Sequence, residues 1–187
     1  MGISRGAVKL ILDECSARSF DGAVLQLGRQ DLHFSKSQLE EWSEKSRVVL
    51  TEISGPRENC AKGPLRKDIN DVEFFTMLGF DSVASADFSD YENSSLTLDL
   101  NKPVPSELHE KFDVIFDGGT MEHCFNTFQV LKNIFSMLKK GGRIIHSSPS
   151  NNHVDHGFYM YSPTLFADYY AANNWEFLSL KVFSYTP

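Results

Sequence analysis

The chain has 187 residues, of which 41% are apolar and 23% charged, and its formal net charge is −7. This length suits a single domain, no apolar stretch approaches the roughly 20 residues that span a bilayer, and the acidic second half (71–187) offers no basic surface for nucleic acid. Three cysteines without paired spacing, Cys15, Cys60 and Cys124, argue against a disulfide framework or a four-cysteine zinc site. We therefore expect one cytoplasmic domain over residues 1–187 that binds neither nucleic acid nor a membrane.

The first part of the chain predicts a helix followed by a strand. Apolar residues from Val8 to Cys15 fall on one side of a helical wheel, which predicts a helix over about residues 5–17. The apolar run GAVLQL (22–27) ends at Gly28, as a buried parallel strand does.

About 50 residues (29–80) separate this strand from the next one, whereas a strand–helix–strand unit needs only one helix between its strands. SKSQLEEWSEK (35–45) and DVEFFTMLGF (71–80) are predicted helices, and the Gly- and Pro-containing stretch between them (55–67) is predicted to be a loop. We interpret this as an insertion at about 35–70, either a functional lid or a disordered loop.

The middle of the chain alternates strand and helix patterns. Strands are predicted at DSVASA (81–86), SLTLDL (95–100), FDVIFDGG (112–119) and GGRIIHSS (141–148). Apolar residues recur at three- and four-residue steps between Phe128 and Leu138, which predicts an amphipathic helix.

The last part repeats this order, with a helix at 162–174 and a strand at 175–183. Alternating strands and helices predict an α/β fold: a Rossmann-like, mostly parallel sheet with helices on both faces.

Several motifs of this alternation follow one another in a fixed order. FDVI (112–115) opens a strand, MEH (121–123) follows it, and a helix ending in LKKGG (138–142) leads into the next strand. In this order the stretch 112–150 resembles the second half of class I S-adenosylmethionine-dependent methyltransferases. The resemblance implies S-adenosylmethionine as cofactor.

The same resemblance implies where the cofactor is held. The implied cofactor residues are Gly28, Gln30, Asp31, Asp87, Phe88, Asp99, Leu100, Asp117 and Gly118. Asp87 would accept the ribose hydroxyls, because a carboxylate accepts two charge-assisted hydrogen bonds from a cis-diol. Asp99 with Leu100 would hold the adenine, and Asp117 would lie beside the sulfonium. Each aspartate has a structural alternative: a helix N-cap for Asp87, and turn residues for Asp99 and Asp117.

The loop after the first strand departs from this family's pattern of an acid followed by several glycines. Gln26 stands where the acid is expected, Gly28 is the one glycine, and the bulkier Arg29 and Gln30 follow it. Either the loop takes another course, with Gln30 or Asp31 as polar contacts, or cofactor binding is weak or lost.

Four of the six histidines lie within 34 residues. His123, His153 and His156 are the candidate catalytic bases, since histidine accepts protons near neutral pH. A structural role is the alternative for His123. The spacing matches no standard zinc pattern, so we predict a polar loop at the rim of a substrate pocket and no metal site.

The sequence thus predicts methyl transfer to an oxygen or nitrogen of a small molecule. HGFYMYSPTLF (156–166) resembles domains of polysaccharide and natural-product pathways, which implies a sugar or a secondary metabolite as acceptor. The alternative is a non-catalytic methyltransferase-like module that binds a ligand or partner. One strand candidate follows residue 174, so we expect the final antiparallel strand to be missing or short, with a second copy or another partner at the sheet edge.

Overall fold

The computed structural model of the protein describes residues 2–53 and 68–184. Within these ranges the α-helices are α1 (Arg5–Ala17), α2 (Lys36–Lys45), α3 (Asp71–Met77), α4 (Thr127–Met137) and α5 (Pro163–Ala172). The strands are β1 (Gly2–Ile3), β2 (Ala23–Leu27), β3 (Asp31–Leu32), β4 (Ser82–Asp87), β5 (Leu96–Thr97), β6 (Phe112–Asp117) and β7 (Leu138–His146).

Five of these strands form one sheet in the order β5-β4-β2-β6-β7, and every neighbouring pair is parallel. A separate two-stranded parallel pair joins β1 to β3. The predicted Rossmann-like α/β fold with a mostly parallel sheet is confirmed.

Helices cover both faces of this sheet, because successive side chains of a strand point to opposite sides. Val24 and Phe116 pack with α1, α2 and α3 on one face. Leu25 and Ile115 pack with α4 on the other. Both faces of β2 and β6 are therefore buried, which explains their nearly continuous apolar sequences.

The predicted helices at 5–17 and 35–45 are confirmed, and each begins at a serine that caps it. Ser4 accepts a hydrogen bond from the Ala7 N–H. Ser35 forms a capping box with Gln38. The predicted loop at 55–67 lies outside the described residues, and the insertion at 35–70 within a single domain stays a prediction.

Two strand predictions need correction. The strand predicted at 95–100 is confined to β5, because Asp99 turns the chain by accepting a hydrogen bond from the Asn101 N–H. The strand predicted at 141–148 begins earlier, directly after α4, since Leu138 already pairs with Phe112 before the register shifts.

The strand predicted at 175–183 is wrong. Apolar and polar residues alternate in this segment from Leu178 to Val182, yet the segment pairs with no described strand, and an open groove separates it from β7. Its apolar side chains stay largely exposed, Val182 at 73%. A segment with this pattern forms a strand only where a neighbouring strand accepts its backbone hydrogen bonds. Here the segment contacts the rest of the protein through side chains instead, for example in the Lys181–Asp13 ion pair.

The final antiparallel strand is accordingly missing from the described part of the chain, as the sequence predicts, and the outer edge of β7 carries no strand there. The expectation that a second copy or another partner covers this edge stays a prediction. None of the described helices combines the length and apolar character that crossing a bilayer requires.

Candidate functional site

The carboxyl ends of β2, β4 and β6 lie at one edge of the sheet, because these strands are parallel neighbours. A cleft of about 270 Å³ opens at this edge. Its lining includes Asp87, Phe88, Asp99, Leu100, Thr120, His123 and Cys124. Four residues predicted to hold the cofactor and one predicted base therefore share this space, which we call the strand-end cleft.

Asp87 ends β4 at the mouth of this cleft. Its Oδ1 accepts a hydrogen bond of 3.3 Å from the Ser89 N–H. No helix follows in the described chain before residue 106, so the N-cap alternative for Asp87 is wrong. Phe88 beside it exposes 74% of its surface. A half-buried carboxylate next to an open aromatic face suits a ribose and its attached base.

Asp99 lines the same cleft and also shapes its turn. Its Oδ1 accepts from the backbone and side-chain N–H groups of Asn101, and Lys102 Nζ lies 3.0 Å from its Oδ2. The hydrogen bonds from Lys102 and Asn101 hold the pKa of Asp99 below its usual range. Asp99 is therefore a charged turn residue at the cleft wall.

The loop after β2 takes a course of its own. Gly28 has a left-handed φ of +74°, and a Cβ there would lie 2.8 Å from Thr120 Oγ1. The Gln30 side chain folds back and donates to the carbonyls of Leu27 and Gly28. Its Oε1 would contact a Cβ at Gly118, so the amide of Gln30 fills the gap between the two glycines.

Gln30 is buried, and its Oε1 has no hydrogen-bond partner among the described residues. Asp31, predicted beside it as a polar contact, instead begins β3, is exposed and pairs with Gly2. The loop therefore brings Gly28, Gln30 and Gly118 together and leaves Asp31 outside the group.

A buried ion pair fixes this loop. The Arg29 guanidinium donates to both carboxylate oxygens of Asp71, at 2.7 and 2.6 Å, and the Gln30 N–H donates to the same carboxylate at 3.3 Å. Asp71 is the first residue of α3 and is 3% exposed. The bulky Arg29 is thus turned away from the glycines and joins the loop to α3.

Asp117 ends β6 and is fully buried. Its Oδ1 accepts from the N–H groups of Thr120 and Met121, which shapes the turn as the structural alternative predicts. Its Oδ2 lies 2.8 Å from His146 Nδ1, and His146 Nε2 lies 2.6 Å from the Tyr170 hydroxyl. Burial raises the pKa of Tyr170. Both carboxylate oxygens of Asp117 therefore have partners within the protein, one in the turn and one in His146. Its role beside a sulfonium stays a prediction.

The three predicted catalytic histidines lie together. The ring of His156 is 5.0 Å from that of His123 and 5.0 Å from that of His153, measured between centroids. His123 follows β6, whereas the other two come from the loop after β7, which folds back so that the Phe158 N–H donates to the Glu122 carbonyl. Burial lowers the pKa of His123 and of His156.

Glu122 is a site residue that the sequence interpretation missed. Its side chain is fully buried, and burial, reinforced by the nearby Asp117, raises its pKa to about 7. Its Oε1 lies 3.4 Å from His156 Nε2 but without hydrogen-bonding geometry. The Glu-His pair in the motif MEH (121–123) could have indicated Glu122 as a site residue, but a sequence does not show that a turn residue is buried.

A family model described as "Methyltransferase domain" matches residues 79–175, just over half of the chain. The chain therefore belongs to this methyltransferase domain family, of the class I S-adenosylmethionine-dependent type. S-adenosylmethionine is the methyl donor that this membership implies, and the activity is S-adenosylmethionine-dependent methyl transfer. No curated protein and no solved structure matches the chain.

Proposed function

We propose that the protein methylates an oxygen or nitrogen of a small-molecule acceptor. One observation carries the proposal: Asp87, Asp99 and Leu100 line the strand-end cleft together with His123, so the nucleoside contacts and a candidate base share one space. S-adenosylmethionine carries its methyl group on a sulfonium, and the sulfur leaves as the neutral thioether S-adenosylhomocysteine when the methyl group is transferred. The protein then has to bind the cofactor and the acceptor, orient them towards each other and remove a proton from the acceptor.

The residues at the cleft fit the parts of this cofactor in different ways. The Asp87 carboxylate suits the ribose hydroxyls, and Leu100 with Asp99 suits the adenine. At the other end, the unpartnered Gln30 Oε1 is a hydrogen-bond acceptor in the gap between Gly28 and Gly118. We assign it to the ammonium of the methionine part, because a buried acceptor without a partner gains most from a charged donor.

The acceptor side is formed by the histidines. His123 faces the strand-end cleft, whereas His153 and His156 line the groove beside β7. An acceptor at this junction would meet a histidine able to take its proton. The serine, asparagine and histidine side chains that the loop after β7 contributes to this groove suit a hydroxylated acceptor such as a sugar or a secondary metabolite.

A second candidate function, a non-catalytic ligand- or partner-binding module, is favoured by the loop after β2. Gln30 fills the gap between Gly28 and Gly118, Arg29 is held by Asp71, and the loop lies outside the matched range 79–175. If the Gln30 amide is an obstruction, the methionine part of the cofactor has no place there.

Calorimetric titration with S-adenosylmethionine and with S-adenosylhomocysteine separates the two functions. We expect both to bind, and Asp87→Ala to weaken binding by about 1–3 kcal/mol, the range for a hydrogen bond to a charged group. Asp90→Ala is the matched control, since Asp90 lies in the same turn but does not line the cleft. Absence of heat and of a thermal shift at millimolar ligand would leave the non-catalytic module.

The acceptor class is tested after cofactor binding. Purified protein is incubated with methyl-labelled cofactor and separate panels of hydroxylated and amino compounds, and S-adenosylhomocysteine is measured. Turnover with a panel member that His153→Gln reduces supports the proposal. Turnover only on protein or nucleic acid would refute the small-molecule acceptor.

A further inference from the structure

A cluster of three potential metal ligands lies where the strand-end cleft meets the groove beside β7. Glu122, His123 and His156 each offer one ligand atom, and these atoms all lie within 4.8 Å of one another. Glu122 and His123 belong to the turn after β6, and His156 comes from the loop after β7. Two separate segments thus direct nitrogen and oxygen ligands to one point.

The Glu122 carboxylate is the strongest feature of this cluster. It is 0% exposed, and neither of its oxygens has a hydrogen-bond partner among the described residues. An ionised carboxylate that is buried without a partner is costly, and such a group in a protein takes up a proton, pairs with a charge or binds a metal. His156 is 3.4 Å away without hydrogen-bonding geometry, so the pair of side chains leaves this cost unmet.

The distances suit a metal ion. Bonds of about 2.0–2.1 Å in a tetrahedral site place neighbouring ligand atoms about 3.4 Å apart. The Glu122 Oε1 to His156 Nε2 distance is already 3.4 Å. All three ligand atoms lie within 4.8 Å of one another, and the third ligand, His123, has an exposed side chain that is free of tight packing on its solvent side.

We propose that Glu122, His123 and His156 bind one divalent first-row transition-metal ion, of the kind that Zn²⁺ and Co²⁺ represent. Two imidazoles and one carboxylate favour such an ion over Mg²⁺ or Ca²⁺, which prefer sites made of oxygen ligands. This assignment replaces the expectation of no metal site that sequence spacing gave, because His156 reaches Glu122 through a long-range fold of the chain.

Three protein ligands leave coordination positions open, which is typical of metal ions that hold water or a substrate oxygen. The site adjoins both the strand-end cleft, through His123, and the groove, through Glu122 and His156. An acceptor oxygen could bind at such an open position, and this part of the inference rests on the proposed function. With His123 and His156 on the metal, the role of base passes from His123 to His153.

The test is metal binding to the full chain without methyl donor. Protein stripped with a chelator is titrated with Zn²⁺ by calorimetry and with Co²⁺ by visible absorption. We expect one ion per chain and Co²⁺ d–d bands typical of mixed nitrogen and oxygen ligands. Glu122→Gln and His156→Gln should each weaken Zn²⁺ binding by more than the roughly 10- to 100-fold that loss of an outer-shell partner causes.

His109→Gln is the matched control, because His109 is an exposed histidine outside the cluster, and its affinity for Zn²⁺ should equal that of the unmodified chain. Circular dichroism checks that the variants fold. Glu122→Gln is expected to fold, because the two side chains have the same shape and the change removes a buried ionisable group. Equal Zn²⁺ affinity in Glu122→Gln, or no saturable binding below millimolar Zn²⁺, would overturn the site. Titration with S-adenosylmethionine reports separately on the proposed function.

Discussion

Removal of the Asp71 carboxylate should destabilise the protein strongly and release the loop after β2. In the native chain this carboxylate accepts two hydrogen bonds from Arg29 and one from the Gln30 N–H, and it is 3% exposed. Asp71→Ala removes the carboxylate to which the guanidinium of Arg29, 14% exposed, donates two hydrogen bonds. The perturbation therefore removes a buried carboxylate from beside a nearly buried positive charge.

Breaking a buried pair by removing one partner costs about 3–5 kcal/mol. Water reaches part of Arg29, so we expect Asp71→Ala near the lower end, about 3 kcal/mol. Arg29→Ala leaves the better buried Asp71 carboxylate unpaired and should cost more, about 4 kcal/mol. The double variant Arg29→Met/Asp71→Leu should cost less than either single change, because it leaves no unpaired charge.

Urea unfolding followed by tryptophan fluorescence measures these free energies. Glu41→Ala is the matched control: its pair with Lys45 lies on the surface of α2, with side chains 58% and 68% exposed, and should contribute less than about 1 kcal/mol. A loss below about 1 kcal/mol for Asp71→Ala, or strictly additive single changes, would refute the reasoning that this pair holds the loop.

Two further predictions concern the loop and the sheet. Gln30→Ala should weaken S-adenosylmethionine binding about tenfold, the effect of one hydrogen bond to a charged donor, and calorimetry that shows unchanged or tighter binding would identify Gln30 as an obstruction. Burial opposes ionisation of Asp113, but the Ala23 N–H and the Lys139 ammonium outweigh it and hold the pKa of Asp113 below its ordinary 3.8. This stabilisation is present above pH 3.8 and is lost as the pH falls through the lower folded-state value, so the deficit of Asp113→Asn, about 1–3 kcal/mol near neutral pH, should shrink in acid. Urea midpoints between about pH 2 and pH 7 check this, and a deficit that stays constant over this range would contradict it.

The sequence predicts the central sheet well because its strands are defined by local patterns. β6, α4 and β7 follow from an apolar run, a helical period and a second apolar run. The segment 175–183 has an equally apolar sequence, with apolar and polar residues alternating from Leu178 to Val182, yet no described strand lies beside it. Alternation shows that a segment can form half of a pair, but it carries no information about whether the other half is present.

The candidate site shows the same limit. The residues at strand ends, such as Asp87 and Asp99, were predictable because parallel strands bring their ends together. Glu122 was not, since its burial depends on the loop after β7, where Gly157 passes so closely that a Cβ would lie 2.9 Å from the Glu122 carbonyl oxygen. Contacts between distant segments decide which polar residues lose water, and no local pattern encodes them.

The buried row of Asp117, His146 and Tyr170 has a consequence for the identity of residue 170. In the neutral tautomer with its proton on Nδ1, His146 donates to the Asp117 carboxylate, and its Nε2 then offers a lone pair. The Tyr170 hydroxyl is the donor that this lone pair meets, and Tyr170 is the buried residue of α5. A phenylalanine would fill the same space but leave the nitrogen without a donor. The attachment of α5 to the sheet thus selects tyrosine by one oxygen atom rather than by the size of its ring.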